Sequence, residues 1–154
     1  MTHLNEGDVA PDFTLPTDGE PVSLAALKGK TVVLYFYPKD DTSGCTVEAQ
    51  DFTARQKDFE TAGAVVVGVS KDSVKSHGKF RAKYELTHTL GSDETGAMLE
   101  SYGVWVEKSM YGRKYMGISR DTFLIGPDGR IKRIWRKVKV PGHAEEVMKA
   151  VKAQ

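Results

Sequence analysis

The chain has 154 residues, of which 40% are hydrophobic, and this is enough to build the core of one globular domain over residues 1–154. Its 22 basic and 21 acidic residues leave a net charge of +1, so composition indicates no nucleic acid and no membrane as partner. The N-terminal segment MTHLNEGDVAPDF has acidic residues and no apolar stretch of signal-peptide length, and no apolar run in the sequence is long enough to cross a bilayer. We therefore expect a cytoplasmic protein that acts on a small molecule or another protein.

Cysteine and histidine content limits the chemistry that the chain can perform. Cys45 is the only cysteine, which excludes a disulfide within one chain, a CxxC pair and a zinc site built on several thiolates. The four histidines, His3, His77, His88 and His143, are scattered without the spacing of metal ligands. We expect neither a metal ion nor an organic cofactor.

The first half of the chain alternates predicted strands and helices. Residues 32–37 form an apolar, β-branched and aromatic run that ends at Pro38 and predicts a buried strand. Residues 44–61 have apolar positions at helical spacing, so a helix is predicted to begin at the cysteine. A second buried strand over residues 64–69 and a helix over residues 72–84 complete a β-α-β-α pattern.

The second half of the chain predicts a hairpin and a closing helix. Residues 95–102 indicate a short helix, and residues 103–119, which have three glycines and no clear period, are interpreted as a loop of the kind that borders active sites. Strands over residues 122–125 and 130–135 flank a Pro-Asp-Gly turn, and a helix follows over about residues 142–153. This order predicts an α/β, thioredoxin-like fold with a central mixed sheet flanked by helices.

The position of the cysteine indicates a reactive thiol. Cys45 follows a predicted strand and lies in the first turn of a predicted helix. Unpaired backbone N–H groups and the positive end of the helix dipole favour an anion there, so the reactive thiolate is stabilised. A lone cysteine is often a buried, inert side chain. Here Thr42, Ser43 and Thr46 surround it with hydroxyl groups, which favours a polar pocket.

The segment PKDDTSGCTVEAQDF resembles the peroxidatic motif of peroxiredoxins, in which a proline and a threonine precede the reactive cysteine. Three further stretches, GDVAPDFTLP, MYGRKYMGISRDTFLIGPDG and VKVPGHAEEV, are similar to the bacterioferritin comigratory protein or peroxiredoxin Q subgroup. The resemblance runs through nearly the whole chain. It implies a thioredoxin-like fold and a thiol-dependent peroxidase that reduces hydrogen peroxide and organic hydroperoxides without a cofactor.

The resemblance implies roles for four residues. The thiolate of Cys45 attacks the peroxide and becomes a sulfenic acid, with release of water or an alcohol. Pro38 shields the cysteine, the Thr42 hydroxyl hydrogen-bonds the thiolate and the peroxide, and Arg120 stabilises both. By spacing alone, Pro38 would be a strand terminator, Thr42 a hydroxyl before a helix and Arg120 a solvated charge. We expect Glu48 to support the site without taking part in the chemistry.

One feature of the subgroup is missing from this chain. Many members carry a resolving cysteine five residues after the first, where this sequence has Gln50, and others carry it in the following helix. Residues 72–84 contain no cysteine either. We therefore expect a monomeric, one-cysteine enzyme whose sulfenic acid is reduced by an external thiol, which is thioredoxin, glutaredoxin or a small thiol.

Two other functions are compatible with the same residues. A cysteine hydrolase or acyl transferase would need a histidine base beside the thiol, and His77, His88 and His143 are candidates without a local signature. A thioredoxin-like redox sensor or binding module would use Cys45 to report oxidation with little turnover. An ester substrate tests the first alternative, and steady-state peroxide consumption tests the second.

Overall fold

The computed structural model describes residues 4–154, so His3 lies outside the described part of the chain. The strands are β1 (Thr14–Leu15), β2 (Val22–Ser23), β3 (Thr31–Phe36), β4 (Ala64–Ser70), β5 (Thr89–Ser92), β6 (Trp105–Met110), β7 (Arg113–Ile118), β8 (Thr122–Ile125) and β9 (Ile131–Trp135). The α-helices are α1 (Ser43–Ala54), α2 (Gln56–Thr61), α3 (Val74–Tyr84), α4 (Ala97–Ser101) and α5 (His143–Ala153), and a short 3-10 helix spans Ala25–Leu27. In the described part of the chain, no helix is both long enough and apolar enough to span a bilayer.

A five-stranded mixed sheet forms the centre of the molecule, with strand order β5-β4-β3-β8-β9. β3, β4 and β5 run parallel, while β8 and β9 pair antiparallel on the other side of β3. The apolar residues of β3 are all buried because this strand lies in the middle of the sheet and is covered on both faces. The predicted α/β, thioredoxin-like fold is confirmed.

Successive side chains of β3 enter two different cores, one on each face of the sheet. Val32 and Leu34 pack with the N-terminal segment and α4. Val33 and Tyr35 pack with α1, α2, α3 and α5, and the same core contains Cys45. The reactive cysteine therefore lies between the central strand and the helices of one face.

Most of the predicted elements are present, with small shifts at their ends. The hairpin β8–β9 and the closing helix α5 match the predicted ranges within one residue. The predicted helix over residues 44–61 is two helices, because Arg55 has non-helical dihedral angles (φ −106°, ψ 9°) between α1 and α2. The short strands β1, β2 and β5 were not predicted.

The interpretation of residues 103–119 as a loop is wrong. β6 and β7 form an antiparallel hairpin that is separate from the central sheet. Its two-residue turn has positive φ at both Tyr111 (51°) and Gly112 (77°), which is the geometry of a tight hairpin turn that matches strand twist. Much of the hairpin is exposed on both faces, so the sequence lacks the apolar and polar alternation that marks a half-buried strand.

Gly68 provides a test of packing at the centre of the sheet. It lies opposite Tyr35 in the parallel pair β3–β4, and a Cβ atom at this position would lie 2.6 Å from Cζ of Tyr35. Because the Tyr35 ring is fully buried and its hydroxyl hydrogen-bonds Nε2 of His88 at 2.6 Å, the ring has little room to move. We predict that Gly68→Ala lowers the free energy of unfolding by about 2 kcal/mol in urea titrations.

Gly78 in α3 is the matched control for this substitution. A Cβ atom there would meet only Cβ of Asp18 at 3.8 Å, which is ordinary contact. Because alanine favours a helix interior over glycine, Gly78→Ala should leave stability unchanged or raise it by up to about 1 kcal/mol. Equal stability of the Gly68→Ala variant and the parent would contradict the packing argument.

Candidate active site

The segment that joins β3 to α1 carries three of the four predicted site residues. Thr42 has extended dihedral angles (φ −95°, ψ 155°) and immediately precedes α1, and its carbonyl accepts the N–H of Thr46 at 2.8 Å. Cys45 is the third residue of the helix and is only 2% exposed. Pro38 lies on the exposed part of the segment. The thiol is therefore at a helix start, as predicted, but almost completely covered.

Arg120 lies directly against the cysteine, although the two are 75 residues apart in the sequence. Its Nη2 donates to Sγ of Cys45 at 3.3 Å, and its Nη1 donates to Oε1 of Glu48 at 2.6 Å. Gly44 permits this approach, since a Cβ atom at that position would lie 3.3 Å from Nη2 of Arg120. The structure thus brings together Cys45 and Arg120 of the predicted site and places Glu48, the expected supporting residue, on the same guanidinium.

The hydroxyl of Thr42 donates to a carbonyl of its own loop and not to the sulfur. It donates to the carbonyl oxygen of Lys39 at 2.8 Å, so its only proton is engaged within the loop. Its lone pairs stay free to accept a hydrogen bond from a molecule that enters the site. The direct hydrogen bond from Thr42 to Cys45 that the resemblance implies is not formed in this arrangement.

Glu48 is a buried carboxyl group with one paired and one unpaired oxygen. It is 1% exposed, and among the described residues its Oε2 has no hydrogen-bond partner. Burial raises the pKa of Glu48 to about 7, although the neighbouring Arg120 guanidinium opposes this rise. The pKa of Arg120 is raised as well, because Glu48 and Cys45 favour its charged form more strongly than its own burial disfavours it. The Glu48–Arg120 contact therefore holds a cation next to the thiol.

A buried polar network anchors the loop to α3. Asp40 accepts the Tyr37 hydroxyl at 2.6 Å and the Ser76 hydroxyl at 2.8 Å, and it contacts Nδ1 of His77 at 3.2 Å. The backbone N–H of Asp40 donates to Oδ2 of Asp72 at 2.8 Å. Burial would raise the pKa of Asp40, but its hydrogen bonds from His77 and Tyr37 outweigh this effect and lower it. The network was not predicted, because Asp72, Ser76 and His77 are far from Asp40 in the sequence.

Asp41 adds a second attachment on the outer side of the loop. Its backbone is left-handed, with φ of 59°, a conformation that aspartate tolerates better than most residues. Its carboxylate accepts the Tyr84 hydroxyl at 2.6 Å and Nζ of Lys83 at 2.9 Å, both from the C-terminal end of α3. The loop before Cys45 is thus attached to α3 through both Asp40 and Asp41.

The three histidines in the described part of the chain are engaged elsewhere. His77 belongs to the Asp40 network, His88 hydrogen-bonds the hydroxyls of Tyr35 and Thr53, and His143 hydrogen-bonds a buried threonine hydroxyl. Burial lowers the pKa of His88 to about 3 and that of His143 to about 4. Within residues 4–154 no histidine hydrogen-bonds Sγ of Cys45, so the Cys-His pair that a cysteine hydrolase requires is not formed. In the same part of the chain no group of acidic, histidine or cysteine side chains is arranged to hold a metal ion.

A thioredoxin-like fold with a thiol at a helix start and an arginine on its sulfur defines the peroxiredoxin class of thiol-dependent peroxidases. The AhpC/TSA family model matches residues 7–134, and the chain belongs to that family. A putative peroxiredoxin bcp of Coxiella burnetii is 56% identical over 146 residues, which cover 94% of this chain and 97% of the relative. Peroxiredoxin Bcp of Bacillus subtilis is 48% identical over 147 residues, which cover 95% of this chain and 94% of the relative.

Solved structures of the same subgroup share the fold. A cysteine-to-serine mutant of PrxQ from Xylella fastidiosa has a TM-score of 0.91 at 42% identity, covering 99% of this chain and 98% of that chain. The bacterioferritin comigratory protein of Xanthomonas campestris, described for its alkyl peroxide reduction activity, has a TM-score of 0.89 at 44% identity, with coverage of 99% and 98%. The predicted resemblance to the peroxiredoxin Q subgroup and the prediction of a thiol-dependent peroxidase are confirmed.

The raised pKa of Glu48 makes stability depend on pH. Between the ordinary value of 4.5 and about 7, the folded chain keeps a proton on Glu48 that the unfolded chain has released. The folded state binds more protons in this window, so stability falls as pH rises through it. Glu48→Gln removes this component, and we predict that from pH 5 to pH 8 the parent loses up to about 3 kcal/mol more unfolding free energy than the variant.

Urea unfolding at pH 5 and pH 8 measures this difference. Glu100→Gln, which changes an exposed glutamate in α4, is the matched control and should keep the pH dependence of the parent. An identical pH dependence of the parent and the Glu48→Gln variant would show that Glu48 titrates at its ordinary value.

Proposed function

We propose that Cys45 is the peroxidatic residue of a one-cysteine peroxiredoxin, with Arg120, Thr42 and Pro38 forming the rest of the site. The hydrogen bond from Nη2 of Arg120 to Sγ of Cys45 carries this proposal. It places a permanent cation, itself paired with Glu48, at the atom where the reaction takes place. The substrates are hydrogen peroxide and organic hydroperoxides.

The reaction is a displacement at the terminal peroxide oxygen. The thiolate of Cys45 attacks this oxygen, an S–O bond forms, and the O–O bond breaks. The sulfur is oxidised to a sulfenic acid, and the departing oxygen takes a proton and leaves as water or an alcohol. Negative charge moves from sulfur to the departing oxygen, and Arg120 stabilises this charge more in the transition state than in the bound peroxide.

Thr42 and Pro38 shape the space in front of the sulfur. The Thr42 hydroxyl, whose proton is engaged by Lys39, accepts the O–H of the incoming peroxide and so orients its O–O bond toward Sγ. Pro38 has a fixed φ and no N–H to donate, which keeps the start of the loop in one conformation as it leaves β3. Both side chains position substrate or loop, whereas Cys45 and Arg120 act on the reacting atoms.

The sulfenic acid is reduced by an external thiol. Gln50 is exposed on α1 where a resolving cysteine stands in other members, and α3 has none to offer. The reductant is thioredoxin, glutaredoxin or a small thiol. The contacts of Arg120 with Sγ of Cys45 and with Glu48 lie within one chain, and we propose that the enzyme works as a monomer. The two hydrophobic cores lie on opposite faces of the same central sheet, which supports the proposal that the chain forms a single domain.

The transition-state role of Arg120 predicts a rate loss. We expect Arg120→Met and Thr42→Val to slow oxidation of Cys45 by at least about tenfold, or about 1.4 kcal/mol, while both variants stay folded. Stopped-flow measurement of the reaction with hydrogen peroxide gives these rates. Arg113→Met is the matched control, because Arg113 lies at the exposed tip of the hairpin. Wild-type rates for Arg120→Met would overturn the assignment of that arginine.

The absence of a second cysteine predicts the oxidised products. Without reductant, stoichiometric peroxide should raise the intact mass by one oxygen atom, and excess peroxide should add a second oxygen as sulfinic acid forms. Addition of a small thiol before the excess should give a mixed disulfide on Cys45 instead. Intact-mass spectrometry and non-reducing electrophoresis follow these species. A predominant disulfide-linked dimer would contradict the monomeric, externally reduced mechanism, since Cys45 is 2% exposed.

A further inference from the structure

A second cation, Lys108, lies close enough to Cys45 and Arg120 for their charges to act on it, and it has no partner within residues 4–154. It belongs to β6 and is opposite Tyr115 on β7. Its side chain is partly buried, and within residues 4–154 its ammonium group makes no hydrogen bond and no ion pair. The other lysine of this hairpin, Lys114, is exposed and lies 3.7 Å from Glu107. A partly buried lysine commonly lays its aliphatic part along the protein surface while its ammonium group stays available to solvent or to a ligand.

The side chain of Lys108 extends toward Arg120. A Cβ atom at Gly117 would lie 3.2 Å from Cδ and 3.5 Å from Cε of Lys108, so the aliphatic part of the lysine crosses the space that this glycine leaves open. Gly117 is two residues beyond Tyr115, in the direction in which β7 continues to Arg120. Lys108 therefore runs along the hairpin from its register position toward the active site.

The carboxyl groups near Lys108 bind other residues, so its ammonium group is available to bind a ligand. Burial lowers the pKa of Lys108 and the like charge of Arg120 lowers it further, against the opposing effect of Cys45 and Asp121. The two buried carboxylates of this region are already engaged. Glu48 binds Arg120, while Asp121 accepts the Ser119 hydroxyl at 2.7 Å and a guanidinium N–H of Arg136 at 3.2 Å. Within residues 4–154, neither of these carboxyl groups is paired with Lys108, so its charge stays unneutralised.

The two half-reactions differ in the charge of the molecule that enters. A hydroperoxide arrives neutral, whereas the thiol that reduces the sulfenic acid reacts as a thiolate and arrives as an anion. Within residues 4–154, Arg120 and not Lys108 hydrogen-bonds Sγ of Cys45, so we expect Lys108 to contact a part of the incoming molecule other than its reacting sulfur. The 2% exposure of Cys45 also favours a small reductant over the surface of a folded protein.

We propose that Lys108, together with Arg120, forms a subsite for the anionic group of a small acidic thiol, which is the external reductant of Cys45. The inference rests on the proposed one-cysteine mechanism. In the step, the thiolate sulfur bonds to Sγ of Cys45, the S–O bond of the sulfenic acid breaks, and the hydroxyl takes one proton and leaves as water. A second thiolate attacks the mixed disulfide, forms the free disulfide of the reductant and releases the Cys45 thiolate. Lys108 is a positioning residue in both steps.

Three thiols of similar size and different charge test the subsite, namely 3-mercaptopropionate, 2-mercaptoethanol and cysteamine. The Cys45 sulfenic acid is first formed with stoichiometric hydrogen peroxide and then mixed rapidly with each thiol. Quenched samples are analysed by intact mass for the mixed disulfide, and the rates are expressed per thiolate. For the parent we expect 3-mercaptopropionate to react fastest and cysteamine slowest, with a difference that shrinks as salt is added.

Lys108→Gln should lower the rate with 3-mercaptopropionate by about fivefold and change the rate with cysteamine by less than about twofold. Oxidation of Cys45 by hydrogen peroxide should stay within about twofold of the parent. Lys108→Arg should restore the order of the three thiols. Lys114→Gln, on the same hairpin, is the matched control and should leave that order unchanged.

Several results would contradict the proposal that Lys108 and Arg120 form an anion subsite. If the reaction rates of the three thiols with the parent do not follow their charge, the site has no preference for anions. The same conclusion follows if Lys108→Gln lowers the rates with all three thiols equally. A slower oxidation step in Lys108→Gln would place Lys108 in peroxide reduction instead. Failure of peroxide to oxidise Cys45 in the parent would be a different outcome, since it would refute the proposed function itself before any thiol is added.

Discussion

The guanidinium of Arg120 lies between two groups that are costly to bury alone, the carboxyl of Glu48 and the sulfur of Cys45. Each of its two terminal nitrogens serves one of them, and this divided geometry is available to arginine and not to lysine. The rest of the site follows from it. Gly44 lacks a side chain where the guanidinium approaches, and α1 begins where its first turn can present the thiol to that cation. The central sheet holds Arg120, just before β8, beside the end of β3.

Much of the fold could be predicted from sequence because its central elements have strong local signals. β3 and β4 are continuous apolar runs, and α5 has a clear amphipathic pattern. The hairpin β6–β7 could not be predicted in the same way, because its residues contact solvent on both faces and no burial period is imposed on them. The break at Arg55 was also missed, since apolar spacing continues across it into α2.

The residues of the candidate site differ in how far the sequence alone predicts their roles. Cys45 was identified from its own neighbours, whereas Arg120 required the family resemblance, because an isolated arginine before a strand has no distinguishing local pattern. The expected supporting role of Glu48 agrees with its place three residues after Cys45, since residues three apart on a helix share a face. The partners of Asp40 in α3 could not be found from sequence, because contacts across 36 residues are set by how α3 packs on the sheet.

The attachment of the loop to α3 has a dynamic consequence. Asp40 and Asp41 together bind side chains from both ends of α3, including Ser76 near its start and Tyr84 at its end. A fluctuation that uncovers Cys45 by displacing this loop must break those contacts at the same time. The loop and α3 therefore form one cooperative unit, whose amide hydrogens exchange with solvent in the same opening event.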